Sequence, residues 1–131
     1  MTSTGLVVLG LGARSGVADD ELAAAAGAGI AAAGLRPGDV GVLATLDRRA
    51  GETGPRAVAA RHGWQIVSFT AAELAAVDVP HPSGVVALRS GTPSVAEAAA
   101  LFAAGPGATL IVPKTVFLPG VTVAIARGRP A

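Results

Sequence analysis

Along this chain, short continuous apolar runs alternate with longer segments that read as helices. Leu6-Val7-Val8-Leu9 is closed by a glycine, the pattern of a strand covered on both faces. Asp19 to Ala33 follows as an alanine-rich helix, with Asp19, Asp20 and Glu21 in the first turn, where the helix amino terminus favours negative charge. Gly27 and Gly29 each weaken that helix by up to about 1 kcal/mol relative to Ala, so packing must hold it, and Gly34 is its stop. Val40 to Thr45 reads as the second strand, Gly54 to His62 as a helix with Pro55 near its first turn, and Gln65 to Phe69 as the third strand.

Thr70-Ala71-Ala72-Glu73 and Ser94-Val95-Ala96-Glu97 are both capping boxes that open helices. Between them, Pro80-His81-Pro82-Ser83 is an extended turn, with Ser83 starting a short helix through Leu88. The helix from Ser94 ends near Gly105-Pro106-Gly107. Thr109 to Val112 and Val121 to Ala126 complete the strands, joined by Lys114 to Gly120, a loop of hairpin length with Pro119-Gly120 as its turn signal.

Strands separated by helices imply right-handed crossovers and parallel pairing, whereas the last pair must be antiparallel. The expected fold is a three-layer α/β/α sandwich with a mostly parallel, mixed sheet of about five strands. Length agrees: 131 residues make one ordinary domain, and neither a repeat nor a linker divides 1–131.

Composition removes several function classes. There is no Cys, so a disulfide framework, thiolate metal ligands and Cys nucleophile chemistry are excluded, and a cytoplasmic location is favoured. The net charge is only +1, the cations are scattered, and Phe69, Phe102, Phe117 and Trp64 are the only aromatic residues available to stack on bases. Nucleic-acid binding is not expected. Mean hydropathy is high at +0.58 through Ala and Val. Yet the longest uncharged stretches, Leu22 to Leu35 and Ala98 to Pro113, are short and broken by Gly and Pro, so no membrane span is expected. The opening Met1-Thr2-Ser3-Thr4-Gly5 lacks the basic and apolar regions of a signal peptide.

In open α/β sheets, ligands bind beyond the carboxyl ends of the parallel strands. Four segments fall there: Gly10-Leu11-Gly12-Ala13-Arg14-Ser15-Gly16, Thr45-Leu46-Asp47-Arg48-Arg49, Phe69-Thr70, and Lys114. The first reads as a glycine-rich turn whose amides, following helix and Arg14 suit a carboxylate or phosphate. The bland alternative is that Gly10 and Gly12 merely permit a tight turn. It is not a dinucleotide fingerprint, since the third glycine would fall on Ser15, and no Gly-Lys-Ser/Thr of a Walker loop occurs. Asp47 and Glu52 are candidate general bases, or else they pair with Arg48, Arg49 and Arg56; on sequence the ion-pair reading is the stronger. Glu73 and Glu97 are explained by their capping boxes. His62 and His81 are too far apart to make a metal motif, and Ser83 and Ser94 have capping roles available. No cofactor is implied.

These same segments carry a family resemblance. Gly10 to Gly16 with Glu21-Leu22, Ala44 to Arg48 with Glu52, Phe69, Glu73-Leu74, Val79 to Ser83, Gly91 to Ala99, Val112-Pro113-Lys114 and Val121 to Arg127 together resemble the CobE/CbiG carboxy-terminal domain family of cobalamin biosynthesis. The resemblance spans nearly the whole chain, in order. It implies work on the corrin ring. In fused members of the anaerobic route this domain ends a cobalt-precorrin-5A hydrolase, which opens the ring lactone and releases acetaldehyde. The present chain is similar instead to the stand-alone members of the aerobic route. Departures are modest: the family often has Lys where Arg48 stands, Ser or Thr where Ala18 stands, and a smaller or amide residue at His81.

Corrin precursors carry acetate and propionate groups around an apolar macrocycle. The resemblance therefore makes Gly10, Gly12, Arg14, Ser15, Gly16, Thr45, Asp47, Arg48, Ser83, Ser94 and Lys114 candidate substrate-binding residues, with Leu11 and Phe117 against the ring. Three functions compete: a corrinoid-binding carrier serving other corrin-biosynthesis enzymes, a hydrolase in which Asp47 or Glu52 activates water, and a phosphate or nucleotide module. The sequence assigns no oligomeric state.

Overall fold

The apolar run that opens the chain becomes the central strand of a mixed sheet. The computed structural model describes residues 6–14, 16–76, 95–117 and 120–129. Strand β1 (Val7–Ala13) pairs in parallel with β2 (Val42–Leu46), which pairs in parallel with β3 (Gln65–Phe69). On its other side β1 pairs antiparallel with β5 (Val121–Arg127), which pairs antiparallel with the edge strand β4 (Thr109–Phe117). The order is β3-β2-β1-β5-β4. Because two reversals restore direction, β4 runs the same way as β1, β2 and β3, and all four carboxyl ends share one edge.

Side-chain alternation along the strands assigns the two faces. Val7, Leu9 and Leu11 of β1 join Leu43, Val121, Val123 and Ile125 on one face. There they meet helix α1 (Asp19–Ala32) through Leu22, Ala25, Ala26 and Ile30, and helix α3 (Thr53–His62) through Val58 and Ala59. Leu9, Leu43 and Ile125 lose all solvent contact, each contributing about 1.5–3 kcal/mol of apolar transfer. The opposite face bears Val8, Val42, Ala44, Leu46 and Ala126, and packs Leu74 of helix α4 (Ala71–Ala75) and Ala98 to Ala100 of helix α5 (Val95–Ala104). A short helix α2 (Asp47–Ala50) leads from β2 into α3. The expected three-layer α/β/α sandwich, with its five-stranded mixed sheet and terminal hairpin, is the observed fold.

Local chemistry explains the element ends. Gly34, at φ +71°, closes α1 with its amide on Ala31 O while Leu35 N reaches Ile30 O, a paired arrangement that satisfies the last carbonyls. Thr70 Oγ1 accepts from Glu73 N, and Glu73 Oε1 accepts from Thr70 N, so the first expected capping box opens α4. Ala18 contributes no side-chain cap to α1. Trp64 is buried, donates from Nε1 to Pro37 O at 2.9 Å, and stacks on the exposed His62. The expected turn at residues 80–83, the helix from Ser83 to Leu88, and Ser94 of the second box lie outside the described residues.

Of the boundaries that differ from the sequence reading, two bear on function. Gly10 and Gly12 do not form a turn; they continue β1, with Gly10 opposite Ala124 and Gly12 opposite Thr122. Gly10 is required by packing. A Cβ there would run into the backbone oxygen of Ala96 and stand 2.9 Å from Ala100 Cβ, so α5 lies directly on the strand. Similarly, Lys114 is inside β4 rather than beyond it. Pairing with β5 persists past Pro113 because a register shift between Val112 and Thr115 absorbs the residue that has no N–H, and β4 is an edge strand where proline is tolerated.

No helix among the described residues is long and apolar enough to cross a membrane.

Candidate functional site

The carboxyl edge of the sheet collects residues from three of the strand ends. β1 delivers Arg14 and Gly16, β2 delivers Asp47, Arg48 and Arg49, and the turn into β5 delivers Gly120. The amino termini of α1, α3 and α5 face the same edge; for α5, a Cβ on Gly12 would come within 3.6 Å of Val95 Cβ and 3.7 Å of Ala96 N. An open cleft lined by Gly16 to Asp19 and Gly51 to Gly54 separates the starts of α1 and α3. Helix amino termini favour anions, and here several point one way.

Arg49 and Glu52 organise this edge. Arg49 Nε donates to Ala13 O at 3.0 Å, tying α2 to the end of β1. Its NH1 pairs with Glu52 Oε2, and Glu52 Oε1 accepts from Gly16 N at 3.1 Å. With side chains only 15% and 25% exposed, the pair is partly withdrawn from solvent. Of the sequence alternatives for Glu52, the ion pair is the one formed, and its partner is Arg49. As the stronger of the two sequence readings expects, this carboxylate is paired, and it forms a brace across the β1–α1 loop. It also fills the Gly16 amide that the sequence reading offered to a ligand.

The remaining candidates divide. Arg14 and Arg48 are exposed and make no side-chain ion pair among the described residues. Asp47 is exposed at the first residue of α2. Thr45 is fully buried, its Oγ1 donating to Leu11 O at 2.7 Å, so it ties β2 to β1 and does not face the edge. Leu11 is 1% exposed within the core, which removes it from any ring contact. Gly10 is buried beneath α5, and the amides of Gly10 and Gly12 belong to strand pairing, so neither is a loop donor. Phe117 is half-buried at the end of β4. Ser15, Ser83 and Ser94 lie outside the described residues. Thr45→Val should lower stability to urea by about 1 kcal/mol, the worth of one buried hydrogen bond, without changing ligand affinity. A measured loss of affinity would restore Thr45 to the site.

Glu97 is the residue that sequence reasoning placed least well. It is completely buried, and its Oε2 accepts from Lys114 N at 2.8 Å. Lys114 sits at the β4 bulge, where the register with β5 shifts, so a helix carboxylate takes an amide that the ladder leaves aside. The signal was available: Glu97 interrupts Val95-Ala96 and Ala98-Ala99-Ala100, a stretch too apolar to face water. The capping-box reading accounted for its position in the first turn but not for its burial.

Comparison with known proteins agrees with the fold. Residues 7–126 match the family described as cobalamin synthesis G C-terminus. The protein CobE of a Sinorhizobium species is 39% identical over 112 residues, which cover 84% of this chain and 73% of that protein. Among solved structures, that of CobE, from the cobalamin (vitamin B12) biosynthetic pathway, superposes with a TM-score of 0.86 at 28% identity, covering 100% of this chain and 96% of its own. The cobalamin biosynthesis protein chiG from Agrobacterium tumefaciens strain C58 gives 0.72 at 38% identity, covering 94% and 98%. A cobalamin biosynthesis protein G homologue from Sulfolobus solfataricus shares the fold at 18% identity, with a TM-score of 0.76; the match covers 95% of this chain and 37% of that one.

Proposed function

Because the chain belongs to the cobalamin synthesis G C-terminus family and is a cobalamin-biosynthesis protein, we propose that it binds a carboxylated corrin intermediate at the carboxyl edge of its sheet. It then presents that intermediate to other enzymes of corrin synthesis. The observation that carries this reading is the pair of exposed guanidiniums, Arg14 and Arg48, beside helix amino termini. A guanidinium matches a carboxylate with two parallel N–H donors, and the macrocycle's acetate and propionate arms supply such carboxylates.

The carrier reading is preferred to hydrolysis on the state of the two acids. Both oxygens of Glu52 are engaged, by Arg49 and Gly16, so it is not poised to take a proton from water. Asp47 stands exposed on α2, where solvent surrounds it and favours an ordinary ionised carboxylate over an activated base. The phosphate-module alternative loses its glycine-rich loop, since Gly10 and Gly12 are strand residues.

Titration with hydrogenobyrinic acid, followed by visible absorbance, tests the proposal. Arg14→Ala should weaken binding about tenfold, the worth of one charge-assisted hydrogen-bonded contact. Retained affinity would move the site elsewhere, and release of acetaldehyde from a lactone-bearing intermediate would favour the hydrolase.

A further inference from the structure

Arg14 does not stand free above the site; its side chain lies across the turn into β5. Arg14 N donates to Gly120 O at 3.3 Å, and the guanidinium stem then crosses the Gly120 backbone. A Cβ at Gly120 would collide with Arg14 Nε and stand 3.1 Å from Cδ and 3.2 Å from Cζ. Gly120 has no positive φ, so no left-handed backbone asks for glycine there. What demands glycine there is the arginine. Resting on the proposed corrinoid site, the geometry points to Gly120 as a positioning residue that holds Arg14 for a ligand carboxylate.

The physical gain is pre-ordering. A freely rotating arginine loses rotamer freedom when it pairs with a ligand, and that loss is subtracted from affinity. Laid against the Gly120 peptide, Arg14 has given up part of that freedom before the ligand arrives. A methyl group at 120 displaces only the flexible end of an exposed side chain, so the fold has no reason to suffer.

A double-mutant cycle on Arg14 and Gly120, read by hydrogenobyrinic acid titration, tests this. Gly120→Ala should weaken binding about tenfold, as Arg14→Ala does, and the double variant should be no weaker than Arg14→Ala alone. Melting temperature should stay within about 2 °C of the wild type, since the added methyl meets only the flexible end of the exposed Arg14 side chain. If Arg14→Ala weakens binding but Gly120→Ala does not, or if the two losses multiply, the inference about Gly120 fails while the corrinoid site stands. If Arg14→Ala has no effect, the site reading fails with it. A readout in the unmodified protein is independent of any folding defect. The Nε–Hε order parameter of Arg14 by ¹⁵N relaxation should exceed about 0.6, and a lower value means the side chain is not held.

Discussion

Gly10→Ala should lower the melting temperature by roughly 10 °C or more, although it adds a single methyl group to a strand. Strand propensity would favour the change, because Ala restricts the unfolded chain more than Gly. Packing opposes it more strongly. The new Cβ meets the Ala96 carbonyl oxygen, a backbone atom of α5 that cannot rotate away, and presses on Ala100 Cβ at 2.9 Å. Relief requires lifting α5 off the sheet, with its buried Ala96 and Ala98 to Ala100. Overpacking of this kind costs about 3 kcal/mol, and each kcal/mol shifts the midpoint by roughly 3–6 °C in a domain of this size. Gly12→Ala is the matched control. Its Cβ would make ordinary contacts at 3.6 Å to Thr122 and Val95, so calorimetry should find it within about 2 °C of the parent. Equal effects at the two positions would refute the packing account of Gly10.

Glu97→Ala is the second large effect, expected near 2–3 kcal/mol by urea unfolding. Two terms add: the Lys114 amide loses its acceptor in a part-buried site, and a cavity opens where the fully buried side chain was. One term opposes them, because a buried carboxylate carries a desolvation cost that the variant no longer bears. The first-turn position of Glu97 in α5 offsets much of that cost, since the helix amino terminus stabilises negative charge. The loss therefore wins. Glu97→Gln keeps an amide oxygen of similar reach and should cost only about 1 kcal/mol. Faster hydrogen exchange at Lys114 in the Ala variant would locate the damage at the β4 bulge. An unchanged Lys114 amide would mean that the Glu97 hydrogen bond does not hold β4.

The pattern of apolar runs was a faithful guide to elements that depend on local chemistry. The third strand, Gln65–Phe69, matches residue for residue, and the Thr70 to Glu73 box opens α4 as its spacing requires. Alternating strands and helices sufficed for the layered fold, because crossover handedness and hairpin length leave few other arrangements. The motif series quoted from Gly10 to Arg127 was also enough to reach the family to which residues 7–126 belong.

Long-range contacts were another matter. Whether a glycine turns the chain or admits a neighbour depends on what stands above it, and Ala96 is far along the sequence from Gly10. The partner of Glu52 was legible as a choice among Arg48, Arg49 and Arg56; only the placement of α2 against Ala13 O selects Arg49. Lys114 was read as the start of a hairpin loop ending on Pro119-Gly120, whereas edge position and a register shift let β4 continue.

The sequence by itself determined the type and order of the principal strands and helices. Those follow from periodicity, capping and charge, which act between near neighbours. Tertiary structure alone decided that Gly10 and Gly12 are strand, not nest, and that the carboxylate nearest the β1–α1 loop is the protein's own Glu52. It also put Arg14 against Gly120. Each of those outcomes depends on close approach between segments distant in the chain, and no local pattern encodes a distance.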